Sequence, residues 1–236
     1  MKAKIIHILC EGPTEQGFVN EVLRPYLIEN GVTSVKSVII STNKKLNAQG
    51  GMSSYTHART DLNIMRQLNP DSSFESHVFT TLFDFYALPN DFPGYEEAKE
   101  IVEPYACVNA LEQSLSNAVN DKRFIPYIQL HEFEALLFCG IEHIAKMYPK
   151  CKSRCEQLTK ELQKVGNPEL IDNGPTTAPS KRIIKAIEGD NKYKYNKPAT
   201  GKSVTKEIGI DMLRAKCPHF TEWIELLINY YTFASE

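Results

Sequence analysis

"KIIHILCEGPTEQGF", residues 4–18, is apolar on both faces from Ile5 to Cys10 apart from His7, and then stops at an acid, a glycine and a proline. A run that is apolar on both faces suits a strand covered by helices on both sides, the environment of a parallel sheet. Pro13 suits the first position of a following helix. Phe18, Val22, Leu23, Tyr26 and Leu27 continue it as a 3.6-period stripe, and Gly31 ends it. A strand feeding straight into a helix is the first half of a right-handed βαβ unit.

The rest of the first 140 residues repeats that alternation. "SVKSVIIST" reads as a second strand, "STNKKLNAQGGMSSY" as a loop and "SYTHARTDLNIMRQLNP" as a helix closed at Asn69-Pro70. "SHVFTTLFDFYALP" is a third strand ending at Asp84, with Val78, Thr80 and Leu82 on one face and Phe79, Thr81 and Phe83 on the other. Two helical segments follow, and "RFIPYIQLHEFEALLF" is a fourth strand that turns helical near His131. The predicted fold class is α/β, a mainly parallel four-stranded sheet flanked by helices over residues 1–140. After residue 140 strand signals stop. Residues 141–236 read as a helical cap or extension packed on the sheet, with polar loops at "NPELIDNGPTTAPS" and "NKYKYNKPATGKS" and an interruption at Cys217-Pro218.

Composition excludes some functions. No apolar stretch reaches the roughly 18–20 residues of a membrane span, and the apolar run at the start is too short for a signal-peptide core. A cytoplasmic protein is expected, with six cysteines as buried free thiols; "CKSRC" at Cys151 and Cys155 lacks the second pair a zinc site needs. The formal net charge of −2 gives no global footprint for nucleic acid. A local basic surplus does exist over residues 181–206, including Lys181, Arg182, Lys197 and Lys202. Tyr193 and Tyr195 interleave with its lysines, as a surface for stacking and phosphate contact requires. Gly50-Gly51 ahead of Ser53 and Ser54 is a weak phosphate-loop candidate.

Acids gather where an open parallel sheet binds ligands, outside the carboxyl ends of its strands. Glu11 follows the first strand, Glu15 lies one helical turn on, Asp84 ends the third strand, and Glu132 and Glu134 follow the fourth. Converging carboxylates repel unless a cation sits between them, and an all-oxygen set suits Mg²⁺ or Mn²⁺. Glu132 and Glu134 share a face on an extended backbone but not within a helix; Glu132 is preferred because it directly follows the strand.

With "ILCEGPTEQGF", "TLFDFYALPNDFPG" and "IQLHEFEALLF" read together, the chain resembles the Toprim superfamily. More narrowly, it resembles a bacterial family of Toprim-like proteins of unknown function, related to OLD-type nucleases and often encoded beside an ABC/AAA-type ATPase. "TAPSKRI" and "CPHFTEWIELL" extend the resemblance over nearly the whole chain. It implies a Mg²⁺-dependent nuclease acting on phosphodiesters, in phage defence with an ATPase partner. In that scheme Glu11 is general base or acid, Glu15 and Asp84 hold metal, and Lys181 stabilises phosphate charge. Arg182, Lys197 and Lys202 are the candidate contacts to the nucleic-acid backbone. The family's Asp-x-Asp appears here as Asp84-Phe85-Tyr86, one metal ligand short, and Glu132 or Glu134 is the candidate replacement. That departure keeps open an alternative: a non-catalytic Toprim-like subunit that binds an ATPase or nucleic acid. Whether the chain forms an oligomer is not legible.

Overall fold

Strand β1 (Ala3–Cys10) is buried from Lys4 onward and pairs in parallel with a strand on each side. It is the centre of the sheet in the computed structural model, which describes residues 2–43, 48–49, 51–171, 177–190 and 192–233. After β1 come α1 (Pro13–Phe18), a π-helical turn (Val19–Leu23) and α2 (Arg24–Glu29). The single helix expected here is therefore interrupted. Pro25 has no N–H for an i→i−4 bond, and the wider turn just ahead of it absorbs that loss. β2 (Ser34–Ile39) follows and lies at the sheet edge. The expected loop after it contains a short antiparallel ribbon, β3 (Ser41–Asn43) and β4 (Ala48–Gln49); Asn47 and Gly50 lie outside the described residues.

Helix α3 (Tyr55–Leu68) leads to β5 (Glu75–Asp84), then α4 (Tyr95–Ala98), α5 (Pro104–Val119), β6 (Phe124–Ile125) and β7 (Ile128–Gln129). The sheet order is β2-β1-β5-β6, with β7 also on β5, and every pair is parallel. The expected fourth strand is thus two short pieces. Pro126 cannot donate to the ladder, and Thr81 bridges the gap: its hydroxyl accepts from the Tyr127 amide and donates to the Tyr127 carbonyl, both at 3.0 Å. The helix expected after His131 is a 3-10 stretch, Phe133–Gly140.

The remaining elements are α6 (Ile141–Met147), α7 (Lys152–Val165), α8 (Pro179–Glu188), α9 (Lys197–Ile208), α10 (Ile210–Lys216) and α11 (Pro218–Phe233). Residues 172–176 of the predicted Pro/Gly loop lie outside the described residues. The segment around "NKPATGK" is not loop but the start of α9. Asn196 caps it by accepting from the Ala199 amide at 3.1 Å, and Pro198 suits its first turn. Gly201 explains how closely α9 packs. A Cβ there would sit 2.8 Å from Thr14 and 3.0 Å from Phe133.

Each sheet face carries its own core. Ile6, Ile8, Cys10, Val78 and Leu82 pack with Phe18, Phe133, Leu213 and Trp223, so the C-terminal helices share one core with β1 and β5. Leu9, Phe79, Phe83 and Ile128 pack with α3 and α5 on the other face. Trp223 stacks on Tyr127 at 4.2 Å and donates to the Thr80 hydroxyl at 2.8 Å. All six cysteines are buried and free. No helix among the described residues is long and apolar enough to cross a membrane.

Candidate functional site

The chain runs from β1 to β2 on one side, then crosses to β5 on the other, so the strand order switches direction between β1 and β5. Loops part at such a point and leave a crevice outside the carboxyl ends of the two strands. Glu11 and Asp84 stand there. The Glu11 amide donates to the Leu82 carbonyl at 3.2 Å, and its carboxylate accepts from the Asp84 amide at 3.2 Å. Strand pairing, Cys10 against Leu82, therefore brings the two acids to one place.

Glu15 is buried one turn into α1. Gly12 makes room for it, since a Cβ at that residue would lie 3.1 Å from Glu15 Oε2. Asp84 is buried, and its Oδ1 accepts from the Phe133 amide at 2.8 Å. That bond ties the end of β5 to the 3-10 stretch carrying Glu134. Glu134 is fully buried, and Tyr195 donates to its Oε1 at 3.1 Å. The Lys197 ammonium lies 3.1 Å from Glu134 Oε2 and 3.5 Å from Asp84 Oδ2. That ammonium is the charged partner of Glu134 Oε2.

Burial dominates the electrostatics. It raises Glu11 to about 7; Glu15 adds to the rise, while the Asp84 amide and Lys197 oppose it. Burial also raises Glu15 and lifts Asp84 well above the carboxylate range, against the pull of Lys197. Lys197 loses by burial but gains more from Asp84, Glu134 and Glu15, so it stays charged. One ammonium thus pairs with two carboxyl groups and acts electrostatically on two more.

Glu134, rather than the preferred Glu132, reaches this cluster. Glu132 is extended, and its carboxylate turns away to accept from the Ser180 amide at 2.9 Å, capping α8 from outside. Lys181 is exposed on α8. Arg182 beside it pairs with Glu161 at 2.6 Å and donates to the Thr177 carbonyl. Lys202 pairs with Glu21 at 2.9 Å. Lys197, expected among the nucleic-acid contacts, instead sits among the acids. Of the glycine pair, Gly50 lies outside the described residues, and Gly51 donates its N–H to the Glu11 carbonyl at 3.3 Å. Helix α3 is already capped: Asp91 accepts from Ser54 and from the Tyr55 amide.

As a home for a cation the site fits in chemistry and is incomplete in geometry. Its donors are hard carboxylate oxygens in excess over positive charge. Among the described residues, however, no three His, Cys, Asp or Glu side chains stand together in a metal-holding arrangement, and Lys197 pairs with two of the acids. Glu11, Glu15 and Asp84 are the groups that would hold an ion.

A parallel α/β sheet with buried acids at its switch point defines the class. Within that class, the chain belongs to the family described as domain of unknown function (DUF4276), whose model matches residues 10–228 and so spans the four acids and Lys197. No curated protein and no solved structure matches the chain.

Proposed function

We propose that this chain is a divalent-metal-dependent phosphodiesterase of the Toprim type, acting on nucleic acid in the cytoplasm with an ATPase partner in phage defence. One observation carries the reading: the Lys197 ammonium pairs with buried Asp84 and Glu134, and Glu11 and Glu15, from a third stretch of chain, are close enough to act on those groups electrostatically. A bound Mg²⁺ or Mn²⁺ would supply Lewis-acid charge to phosphate oxygens. The chain's own groups have distinct parts. Glu11, just past the carboxyl end of β1, serves as acid or base, and Tyr195 fixes Glu134. Lys197 balances the acids and can turn to phosphate. Lys181, Arg182 and Lys202 lie farther out, where a nucleic-acid backbone would pass. The six free thiols suit a reducing compartment.

Incubation with plasmid DNA and with RNA in Mg²⁺ or Mn²⁺ tests this. Wild type should cut at least one of them, and Asp84→Asn should be slower by about 10²-fold or more, the scale of losing a group that stabilises transition-state charge. If wild type and Glu11→Ala are equally inert with the ATPase present, the enzyme reading fails.

A second reading has its own support. Lys197 already serves the acids as a cation, and Tyr86, in place of a ligand acid, bonds His131 at 3.0 Å. A subunit that kept the fold and bound an ATPase without catalysis would look like this. Calorimetry showing no divalent binding, together with a stable ATPase complex, would favour it.

A further inference from the structure

Between α7 and α8 lies a cleft of about 220 Å³, walled by Arg154, Gln157, Leu158 and Glu161 of α7 and by Arg182 and Lys185 of α8. We infer that it binds a terminal phosphate group, carried by a free nucleotide or by the end of a nucleic-acid strand. No residue of the acid cluster lines the cleft, so the inference does not rest on the phosphodiesterase reading.

Helix periodicity brings the cations together. Arg154, Gln157, Leu158 and Glu161 share one face of α7, each three or four positions from a neighbour in the set. Arg182, Lys185 and Ala186 do the same on α8. Leu158 and Ala186, both buried, are the apolar part of the lining.

Both guanidinium groups are held in place by backbone. Arg154 Nε donates to the Ala186 carbonyl at 2.5 Å, and Arg182 Nε donates to the Thr177 carbonyl at 2.6 Å. Each also meets one acid. Arg154 Nη2 lies 3.4 Å from Asp190, and Arg182 Nη1 donates to Glu161 at 2.6 Å. Gln157 donates to the other Glu161 oxygen at 3.5 Å, so that carboxylate is engaged on both sides. Among the described residues these are the partners of the two guanidinium groups, and one terminal nitrogen of each is left for a ligand. Lys185 is exposed and has no ion-pair partner among the described residues.

Charge names the ligand. The Arg182–Glu161 pair already joins α8 to α7, so Arg154 and Lys185 add positive charge where the helices do not need it. Three cationic side chains against one lining acid, with Asp190 beside Arg154, leave the cleft net positive. Guanidinium groups fixed at Nε suit phosphate oxygens, and the lysine adds a point charge. A terminal phosphate carries roughly −2 at neutral pH, against about −1 for a phosphodiester within a strand, and answers that charge better. The volume, below the roughly 300 Å³ of pockets that enclose whole small molecules, suits one such group.

Isothermal titration calorimetry on the full chain tests this, in EDTA so that no divalent ion sits at the acids. The probes are adenosine 5′-monophosphate and a single-stranded oligonucleotide with or without a 5′-phosphate. Wild type should bind the mononucleotide, the phosphorylated strand or both. A mononucleotide bound at least as tightly as the phosphorylated strand marks a free nucleotide as the ligand; a phosphorylated strand bound more tightly marks its end. Lys185→Gln should weaken binding about tenfold, the scale of one charge-assisted hydrogen bond. Arg154→Lys, which keeps the charge and loses the planar fork, should do likewise. Lys160→Gln, exposed on α7 outside the cleft, should bind as wild type. The inference is overturned if neither phosphate probe binds, or if the strand alone binds and does so equally well without its 5′-phosphate. It is also overturned if both cleft variants bind as wild type, or if Lys160→Gln weakens binding as much as they do. Metal-dependent cleavage by a chain that fails here would leave the phosphodiesterase reading standing.

Discussion

Lys197 is the residue on which the site's charge balance turns. Replacing it by Gln leaves Asp84 and Glu134 facing each other without a counter-charge. Breaking a fully buried pair costs about 3–5 kcal/mol, and because this side chain is 38% exposed the expected loss is nearer 2 kcal/mol. Urea unfolding at neutral pH measures it. Mn²⁺ should raise the melting temperature of Lys197→Gln more than that of wild type, since the ion then competes with no ammonium; an equal response would mean the acids do not take the ion. Glu11 and Asp84 were legible in the sequence because an acid that ends a buried strand has few structural reasons to be there. Lys197 was not. In "YNKPATGK" it is one lysine in a polar run, and its place depends on contacts of Gly201 with Thr14 and Phe133, distant in sequence. Glu134 against Glu132 was decided by a single residue's change from extended to 3-10 backbone.

At the level of elements, apolar runs and β-branched residues were enough to fix β1, β2 and β5, while the fourth strand was read as one piece. Pro126 was visible; that Thr81, forty-six positions from Tyr127, would replace the missing ladder bonds was not. Thr81→Val keeps the shape and removes both bonds, leaving a buried amide and carbonyl unpaired. The expected loss is about 1–3 kcal/mol, read as a lower urea midpoint at unchanged slope. A midpoint equal to wild type would show that this bridge adds nothing to the sheet. The start of α9 was missed for a similar reason. Its cap, Asn196, and Pro198 were in plain view, but four lysines nearby made the segment look like solvated loop.

For the molecule as a whole, the two cores make stability depend on polar groups buried inside the sheet. His7, on β1, meets His77 at 3.0 Å and stacks on Phe79. Burial holds it at about 4 instead of 6.5, with His77, Lys36 and Arg123 pushing the same way. The folded chain therefore keeps His7 neutral while the unfolded chain takes up a proton. Its contribution to stability is complete above pH 6.5 and is lost as the pH falls toward 4, on the order of 2–3 kcal/mol in total. The difference in unfolding free energy between wild type and His7→Phe, followed from neutral pH downward, should shift by that amount in favour of the variant. A difference independent of pH would contradict it.

In the proposed function, the acids at the switch point hold a dication. Anomalous diffraction from crystals soaked in Mn²⁺ addresses it directly. A peak is expected at bonding distance, ~2.2 Å, from the Glu11, Glu15 and Asp84 carboxylates, with the Lys197 ammonium displaced from between Asp84 and Glu134. A soaked crystal with no peak there, and Lys197 still bridging the two acids, would contradict it.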